Sequence, residues 1–116
     1  MYYHEDWLMR QIETAIAALI KMITGKEQHT SHMSSKLFND VMCLLKHGEI
    51  CEAENMLFFA LDTNEETAFE TAIAFYSELN KLNDDELESK NFSRDEIKSG
   101  LQEVCRINGS VYEIFL

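Results

Sequence analysis

The chain has 116 residues, and its formal net charge is −11, from 21 acidic and 10 basic residues. So acidic a surface repels phosphate backbones and anionic lipid headgroups, which excludes nucleic acids and membranes as expected partners. Hydrophobic residues make up 46% of the sequence, which excludes global disorder, and the length is that of one domain. Proline is absent and glycine occurs only 4 times, so a sandwich or barrel with many tight turns is not expected.

The first predicted helix runs from about residue 4 to residue 24 and is amphipathic. Its apolar side chains recur at spacings of three and four and form one stripe: Met9, Ile12, Ile16, Leu19 and Ile23. Leu8, Ala15 and Ile20 are expected to widen this stripe. Because so large an apolar surface does not stay in water, we expect it to pack on the body of the same chain or on a second copy.

The same stripe is the predicted interaction surface. Trp7 stands beside it, and an aromatic side chain there either anchors an interface or caps the protein's own core. The predicted interface consists of Trp7, Met9, Ile12, Ile16, Leu19 and Ile23. The polar segment 25–35 is predicted to be a linker between this N-terminal helix (1–24) and a helical body (36–116), and its length permits either arrangement. We favour a homodimer formed through the helix.

The body is predicted to contain four further helices. They are expected at about 35–47, 49–61, from the break at 62–64 to 81, and 93–108, with a turn or one short helical turn at 83–87. Residues 63–66 and 93–96 both have a capping-box pattern that starts a helix. The third helix is apolar on most sides and is expected to be covered on more than one. Gly100, inside the last helix, predicts close approach of a neighbouring helix.

The second and third helices are predicted to form a tight antiparallel hairpin. The spacing of Gly48, Ile50, Ala53, Leu57, Ala60 and Leu61 resembles the second half of a tetratricopeptide repeat. The first half matches less well, and no second repeat follows at the period of such arrays. With no strand signal, the fold class is predicted to be all-α: a small bundle of about five helices containing one hairpin of this kind.

Five blocks of the sequence resemble a family of small bacterial proteins of unknown function. They lie at 6–12, 52–58, 75–82, 85–88 and 91–101, in order and over nearly the whole chain. The resemblance implies a helical, repeat-like fold and supplies no catalytic residues. The hydrophobic segment 111–116 is longer than the resemblance implies.

Cys43, His47 and Cys51 are the most suggestive residues for chemistry, since they are spaced by four and thiolate and imidazole are good zinc ligands. Cys43 and His47 lie one turn apart, opposite the apolar stripe of the second predicted helix. A glycine interrupts the helix before Cys51, however, and no fourth ligand is evident. His29 and His32 lie in the predicted linker, where histidines are usually only solvated. A metal-binding or catalytic domain centred on Cys43 and His47 is therefore the alternative function.

The favoured function is a non-enzymatic module for protein–protein interaction or self-association, with no cofactor. The carboxylate pairs near residues 65 and 85 stand at predicted helix starts, where the helix dipole explains them. A cytoplasmic location is expected, because the longest apolar run near the N-terminus, 15–20, is too short to cross a bilayer. The odd number of cysteines also favours a reducing compartment.

Overall fold

The computed structural model describes residues 2–24, 36–65 and 67–108, with side chains at 7–21, 36–65 and 67–107. Within these ranges the chain forms six helices and no strand, which confirms the predicted all-α bundle. The helices are α1 (Tyr2–Thr24), α2 (Lys36–Lys46), α3 (Ile50–Asp62), α4 (Ala68–Asn80), α5 (Asp84–Ser89) and α6 (Arg94–Asn108). The predicted linker 25–35 and the hydrophobic segment 111–116 lie outside the described residues.

The central element is α4, which packs against α1, α2, α3 and α6. Most of its side chains are buried, including the aromatic pair Phe75 and Tyr76, whose rings meet edge to face with centroids 4.9 Å apart. The sequence did not indicate which helix is central. It predicted that α3 is covered on more than one side, and α3 does pack on three helices, although Phe59 is 71% exposed.

The stripe on α1 is covered by the body of the same chain. Packing on α4 and α6 buries Leu8, Ile12, Ala15, Ile16 and Leu19 in one core with the other helices. Ile20, which was expected to widen the stripe, is 44% exposed. The buried face of α1 is therefore centred on Ile12 and Leu19, which are fully buried. Among the helices that the structure describes, none is both long and apolar enough to cross a membrane.

α2 and α3 pack together as a helical hairpin whose turn is Gly48. This glycine has a φ of +76°, a left-handed conformation that side chains with a Cβ rarely adopt. Ala53 and Leu57 are fully buried, at positions where the sequence pattern requires a close helix contact and a space-filling side chain. The likeness of this hairpin to a tetratricopeptide repeat stays a prediction.

One of the two predicted helix starts is confirmed. Ser93 and Glu96 form a reciprocal capping box, with the Ser93 amide donating to Glu96 Oε1 at 3.0 Å and the Glu96 amide to Ser93 Oγ at 3.2 Å. A second such box, between Asn83 and Glu86, starts α5, where the sequence predicted a turn or one short helical turn.

The predicted start at residues 63–66 is wrong. The hydroxyl of Thr63 donates backwards to the carbonyls of Phe59 at 3.0 Å and Ala60 at 3.2 Å, so it ends α3. Asn64 then adopts a left-handed φ of 59°, and α4 begins only at Ala68. A threonine can bond to carbonyls behind it as readily as to amides ahead, and here the end of α3 uses its hydroxyl.

Candidate functional site

A groove of about 500 Å³ runs between α2 and the C-terminal end of α4. Its walls are mostly apolar, and its lining residues are Phe38, Asn39, Met42, Cys43, Leu45, Lys46 and Glu78. The volume lies in the range of pockets that hold ligands, but the groove is open along one side. An open, apolar channel of this form suits an elongated occupant better than an enclosed small molecule.

The apolar wall of the groove is a second face of α2. Leu37 and Val41 are buried in the core, whereas Phe38, Met42 and Leu45 are only partly buried. These three positions are spaced by four and three residues, so they lie on one side of the helix. Met42 adds an unbranched, polarisable side chain that adapts to irregular surfaces. The structure therefore divides these five apolar side chains of α2 between the core and the groove.

Cys43 lines the groove, and His47 follows it one helical turn later; both side chains are exposed, as the sequence predicted. Their closest side-chain approach is 3.8 Å, between Cys43 Sγ and His47 Nδ1. The same Nδ1 lies 2.8 Å from the carbonyl oxygen of Cys43, which can only accept, so we assign the ring proton to Nδ1. With Nδ1 donating to the backbone, that nitrogen cannot take the proton of the Cys43 thiol or bind a metal, and the basic lone pair of the ring is on Nε2 instead.

Among the residues that the structure describes, no third ligand joins this pair. Across the described side chains, no three His, Cys, Asp or Glu residues are grouped so that they could hold a metal ion. Cys51 is exposed on α3, beyond the turn at Gly48, and does not line the groove. His29 and His32 lie outside the described residues.

The predicted interface residues on α1 divide into two groups. Ile12, Ile16 and Leu19 are at most 6% exposed and belong to the core of their own chain. In this structure their cover is the chain's own body, one of the two covers that the sequence left open. Met9 is half-buried, and the side chain of Ile23 lies outside the described residues. Homodimerisation through this helix stays a prediction, and it now requires α1 to leave the body on which it packs.

Trp7 is the exception among these residues, since it is 57% exposed. It lines a second, shallower hollow of about 310 Å³ together with Arg10, Gln11 and Thr14. The side-chain oxygen of Gln11 is buried there without a hydrogen-bond partner. The hollow is smaller than the groove along α2 and has no apolar wall comparable to that of Phe38 and Met42.

A buried arginine joins the ends of several helices. Arg94, 2% exposed, donates through Nη1 to the carbonyl of Asn80 at 3.0 Å and to its Oδ1 at 3.2 Å. Its Nη2 donates to the carbonyl of Leu82 at 3.0 Å and to Asp84 Oδ1 at 2.8 Å. Asn80 in turn donates to the carbonyl of Met9 at 3.1 Å. The cluster ties α1, α4, α5 and α6 together by hydrogen bonds.

Sequence reasoning missed this cluster, although one signal for it exists. Arg94 occupies the first turn of α6, where the helix dipole disfavours a positive charge. The positive charge at that position is stabilised instead by hydrogen bonds to acceptors at the end of α4. The role is structural, because all four acceptors belong to the chain itself.

A second polar contact crosses from α4 to α3. The hydroxyl of Tyr76, fully buried, donates to Glu54 Oε2 at 2.6 Å. Burial, and then this hydrogen bond, raise the pKa of Tyr76 far above its usual range. Burial also raises the pKa of Glu54, against the opposing effect of the hydrogen bond, and the charge of Glu96 on α6 raises it further.

Comparison with known proteins gives a family and no more. A sequence model of a family of unknown function, DUF6483, matches residues 2–109. No curated protein gives a significant match to the chain. No solved structure does so either.

Proposed function

We propose that the chain, which belongs to DUF6483, the family of unknown function whose model it matches, is a non-enzymatic module that binds another polypeptide in the groove along α2. One observation carries the proposal: Phe38, Met42 and Leu45, each only partly buried, form the apolar wall of an open groove. Covering such a wall removes apolar surface from water, and this is the main driving force of protein association.

An amphipathic helix is the occupant that fits this groove. Wall residues spaced one helical turn apart match a partner whose apolar side chains recur at the same interval. Lys46 and Glu78, one basic and one acidic, border the groove and can fix the register of polar groups on the partner. The net charge of −11 attracts a basic segment and speeds its encounter with the protein.

The geometry around Cys43 supports a binding role rather than a catalytic one. An activated thiol needs a base that can take its proton, and the nearest imidazole nitrogen already donates to a backbone carbonyl. Nη1 and Nη2 of Arg94 and the hydroxyl of Tyr76 all donate to acceptors within the chain. These features favour an interaction module over the alternative centred on Cys43 and His47.

The protein's own cysteines allow a direct test. Cys43 lies in the groove and Cys51 outside it, and both are exposed. A benzophenone maleimide is attached at Cys43 in a Cys51→Ser variant, and at Cys51 in a Cys43→Ser variant as the matched control. Each labelled protein is irradiated in extract from its native source, and adducts are identified by mass spectrometry.

We expect one dominant adduct from Cys43, weak or absent from Cys51, that is lost in Phe38→Ser and retained in Trp7→Ser. Equal adducts from both cysteines, or none from Cys43, contradict the proposal. An adduct between two copies of the chain would also contradict the proposal that the partner is a different protein. It would instead place the predicted homodimer in this groove.

A further inference from the structure

The helices around α4 form an incomplete ring. Going round α4, α1 packs on α6, α6 packs on α3, and α3 packs on α2. Within the described helices, however, α1 and α2 do not pack side by side, although each of them packs on α4. The ring is therefore interrupted between α1 and α2, and one side of α4 faces the interruption.

A strip of three residues marks this side of α4. Asn80 donates to a backbone carbonyl of α1, and Glu78 lines the groove beside α2, so these two residues mark the sides of α4 that face α1 and α2. On the helical wheel, Glu70, Ala74 and Ser77 lie between those two sides, and all three are only partly buried. We call these three residues the α4 strip. It extends the groove along α2 towards α1.

α1 supplies an apolar wall on the far side of the α4 strip. Met9, early in α1, meets Asn80 at the end of α4, so α1 runs back along α4 in the antiparallel direction. With that direction, helical phase places half-buried Met9 and 44% exposed Ile20 on the flank of α1 that faces the strip, and Trp7 on the other flank. Ile20 lies about 16 Å after Met9 along α1, which brings it level with Glu70.

Glu70 gives the α4 strip a specific chemistry. Its Oε1 is buried and has no hydrogen-bond partner within the described chain. An ionised carboxylate only accepts, and a charge-assisted bond from lysine or arginine is the strongest that it can receive. Ala74 and Ser77, one and two turns further along α4, are small enough to let another helix approach closely. The strip therefore favours a helix that carries a basic side chain.

We propose that the polypeptide bound in the groove is a single amphipathic helix, which lies along the α4 strip between α1 and α2 and donates to Glu70 from an arginine or lysine. This arrangement rests on the proposed function, since one of its walls is the groove along α2, and it adds α1 and the α4 strip to the binding surface. One side of the bound helix covers Phe38 and Met42 on α2, and the other side covers Ile20 on α1. Burial of these side chains drives the association.

Synthetic peptides of this chemistry are the probe. Each has about 15 residues, or four helical turns, built from leucine, alanine and glutamine with leucines spaced alternately by three and four. One arginine is placed at a different position in each peptide of the set, and a matched peptide has glutamine in its place. Fluorescence anisotropy gives the Kd for the full chain, for Glu70→Gln, and for Glu88→Gln, which removes the same charge at an exposed position of α5.

We expect the best peptide of the set to bind the wild type and to lose about tenfold in affinity in Glu70→Gln, as one charge-assisted hydrogen bond is lost. Glu88→Gln should leave its Kd unchanged. The matched peptide without arginine should bind the wild type and Glu70→Gln equally, because it makes no such bond. Since Oε1 of Glu70 has no partner in the folded chain, the substitution by glutamine should leave the fold intact.

Amide shifts of the isotope-labelled full chain locate the bound peptide. The signals of Ile20 and Ala74 should move together with that of Met42, and the signal of Trp7, on the other flank of α1, should stay. Shifts at Met42 without Ile20 and Ala74 would overturn the arrangement between α1 and α2 and leave the groove as the binding site. Failure of every peptide to bind, or an equal loss in the control variant, would overturn it as well. The cross-linking from Cys43 then decides separately on the groove.

Discussion

Gly100 of α6 lies directly against the ring of Tyr76 on α4, and a Cβ built on the glycine would overlap the Tyr76 ring and hydroxyl. The sequence predicts a close helix contact at this glycine, and the structure shows what requires it. The absence of a side chain at Gly100 lets the Tyr76 hydroxyl reach Glu54 on α3. The small residue Gly100 on α6 therefore permits a hydrogen bond between α4 and α3.

Gly100→Ala should destabilise the protein even though alanine is the better helix former. The substitution gains about 1 kcal/mol of helix propensity, but it forces Tyr76 out of position in a packed core, and such overpacking costs about 1–3 kcal/mol. Loss of the bond to Glu54 adds to the cost. Urea unfolding should therefore show a net loss of about 1–2 kcal/mol. Ser99→Ala, at the exposed neighbouring position, should leave the free energy of unfolding unchanged or raise it. Equal changes in this free energy for the two variants would contradict the contact between Gly100 and Tyr76.

Arg94→Lys should be strongly destabilising although it keeps the charge. A lysine ammonium cannot span the carbonyls of Asn80 and Leu82 as the guanidinium does, so buried acceptors lose their donors. We expect a loss of about 2–4 kcal/mol in the free energy of unfolding. Arg106→Lys is the matched control, because Arg106 is exposed and paired with Glu103 on its own helix. Its cost should stay below about 0.5 kcal/mol, the value typical of surface pairs.

Local signals in the sequence predict most of the fold. Apolar periodicity located the five long helices because each buries one face, and the Ser93–Glu96 pattern located the start of α6 because its bonds are local. The helix start predicted at Thr63 was wrong because a threonine hydroxyl can donate to carbonyls of the preceding helix or accept from an amide of the following one. Which of the two bonds forms depends on the tertiary path of the chain. Which helix is central also depends on packing between distant segments, so α4 was not recognised.

The candidate site was less predictable for the same reason. Cys43 and His47 were correctly placed on the exposed side of α2, because that follows from helical phase alone. The groove beside them also needs Glu78 from α4, and no periodicity in α2 indicates how α4 will cross it. Likewise, Arg94 meets Asn80, 14 residues earlier, only because α4 and α6 pack together.

Lowering the pH should stabilise the folded wild type relative to the Glu54→Gln variant. Burial raises the pKa of Glu54 in the folded protein, so the folded chain binds this proton more tightly than the unfolded chain does. The resulting stability is fully present below the unfolded pKa of about 4.3 and is lost as pH rises through the higher folded value. Glutamine does not titrate. The free energy of unfolding of the wild type minus that of the variant should therefore increase as pH falls from 7 to 4.

Tyr76→Phe provides the second arm of this experiment. The hydrogen bond from Tyr76 lowers the pKa of Glu54, so its removal raises that pKa and moves the change to higher pH. The comparison is made between Tyr76→Phe and the double variant Tyr76→Phe, Glu54→Gln, by urea unfolding at each pH. Parallel pH curves for the wild type and Glu54→Gln would show that Glu54 is not perturbed.

The three cysteines should differ sharply in their reaction with a maleimide. Cys43 and Cys51 are exposed, whereas Cys105 is 7% exposed and burial raises the pKa of its thiol. Thiolate is the reactive form, so the native protein should label quickly at two positions and at Cys105 only on unfolding. Peptide mapping after timed quenching measures each rate. Rapid native labelling of Cys105 would mean that the contact of α6 with the core opens readily.

The cover of the α1 stripe can be tested by placing a charge on either side of the helix. Leu19 is fully buried against the body, so Leu19→Glu should unfold the chain or release α1, whereas Ala17→Glu, on the exposed side, should change stability by less than about 0.5 kcal/mol. The milder Ile12→Ala should cost about 2–5 kcal/mol through the cavity it leaves. Light scattering on the same samples gives the mass. A folded Leu19→Glu monomer derived from a wild-type dimer would show instead that the stripe meets a second copy, as the sequence allowed.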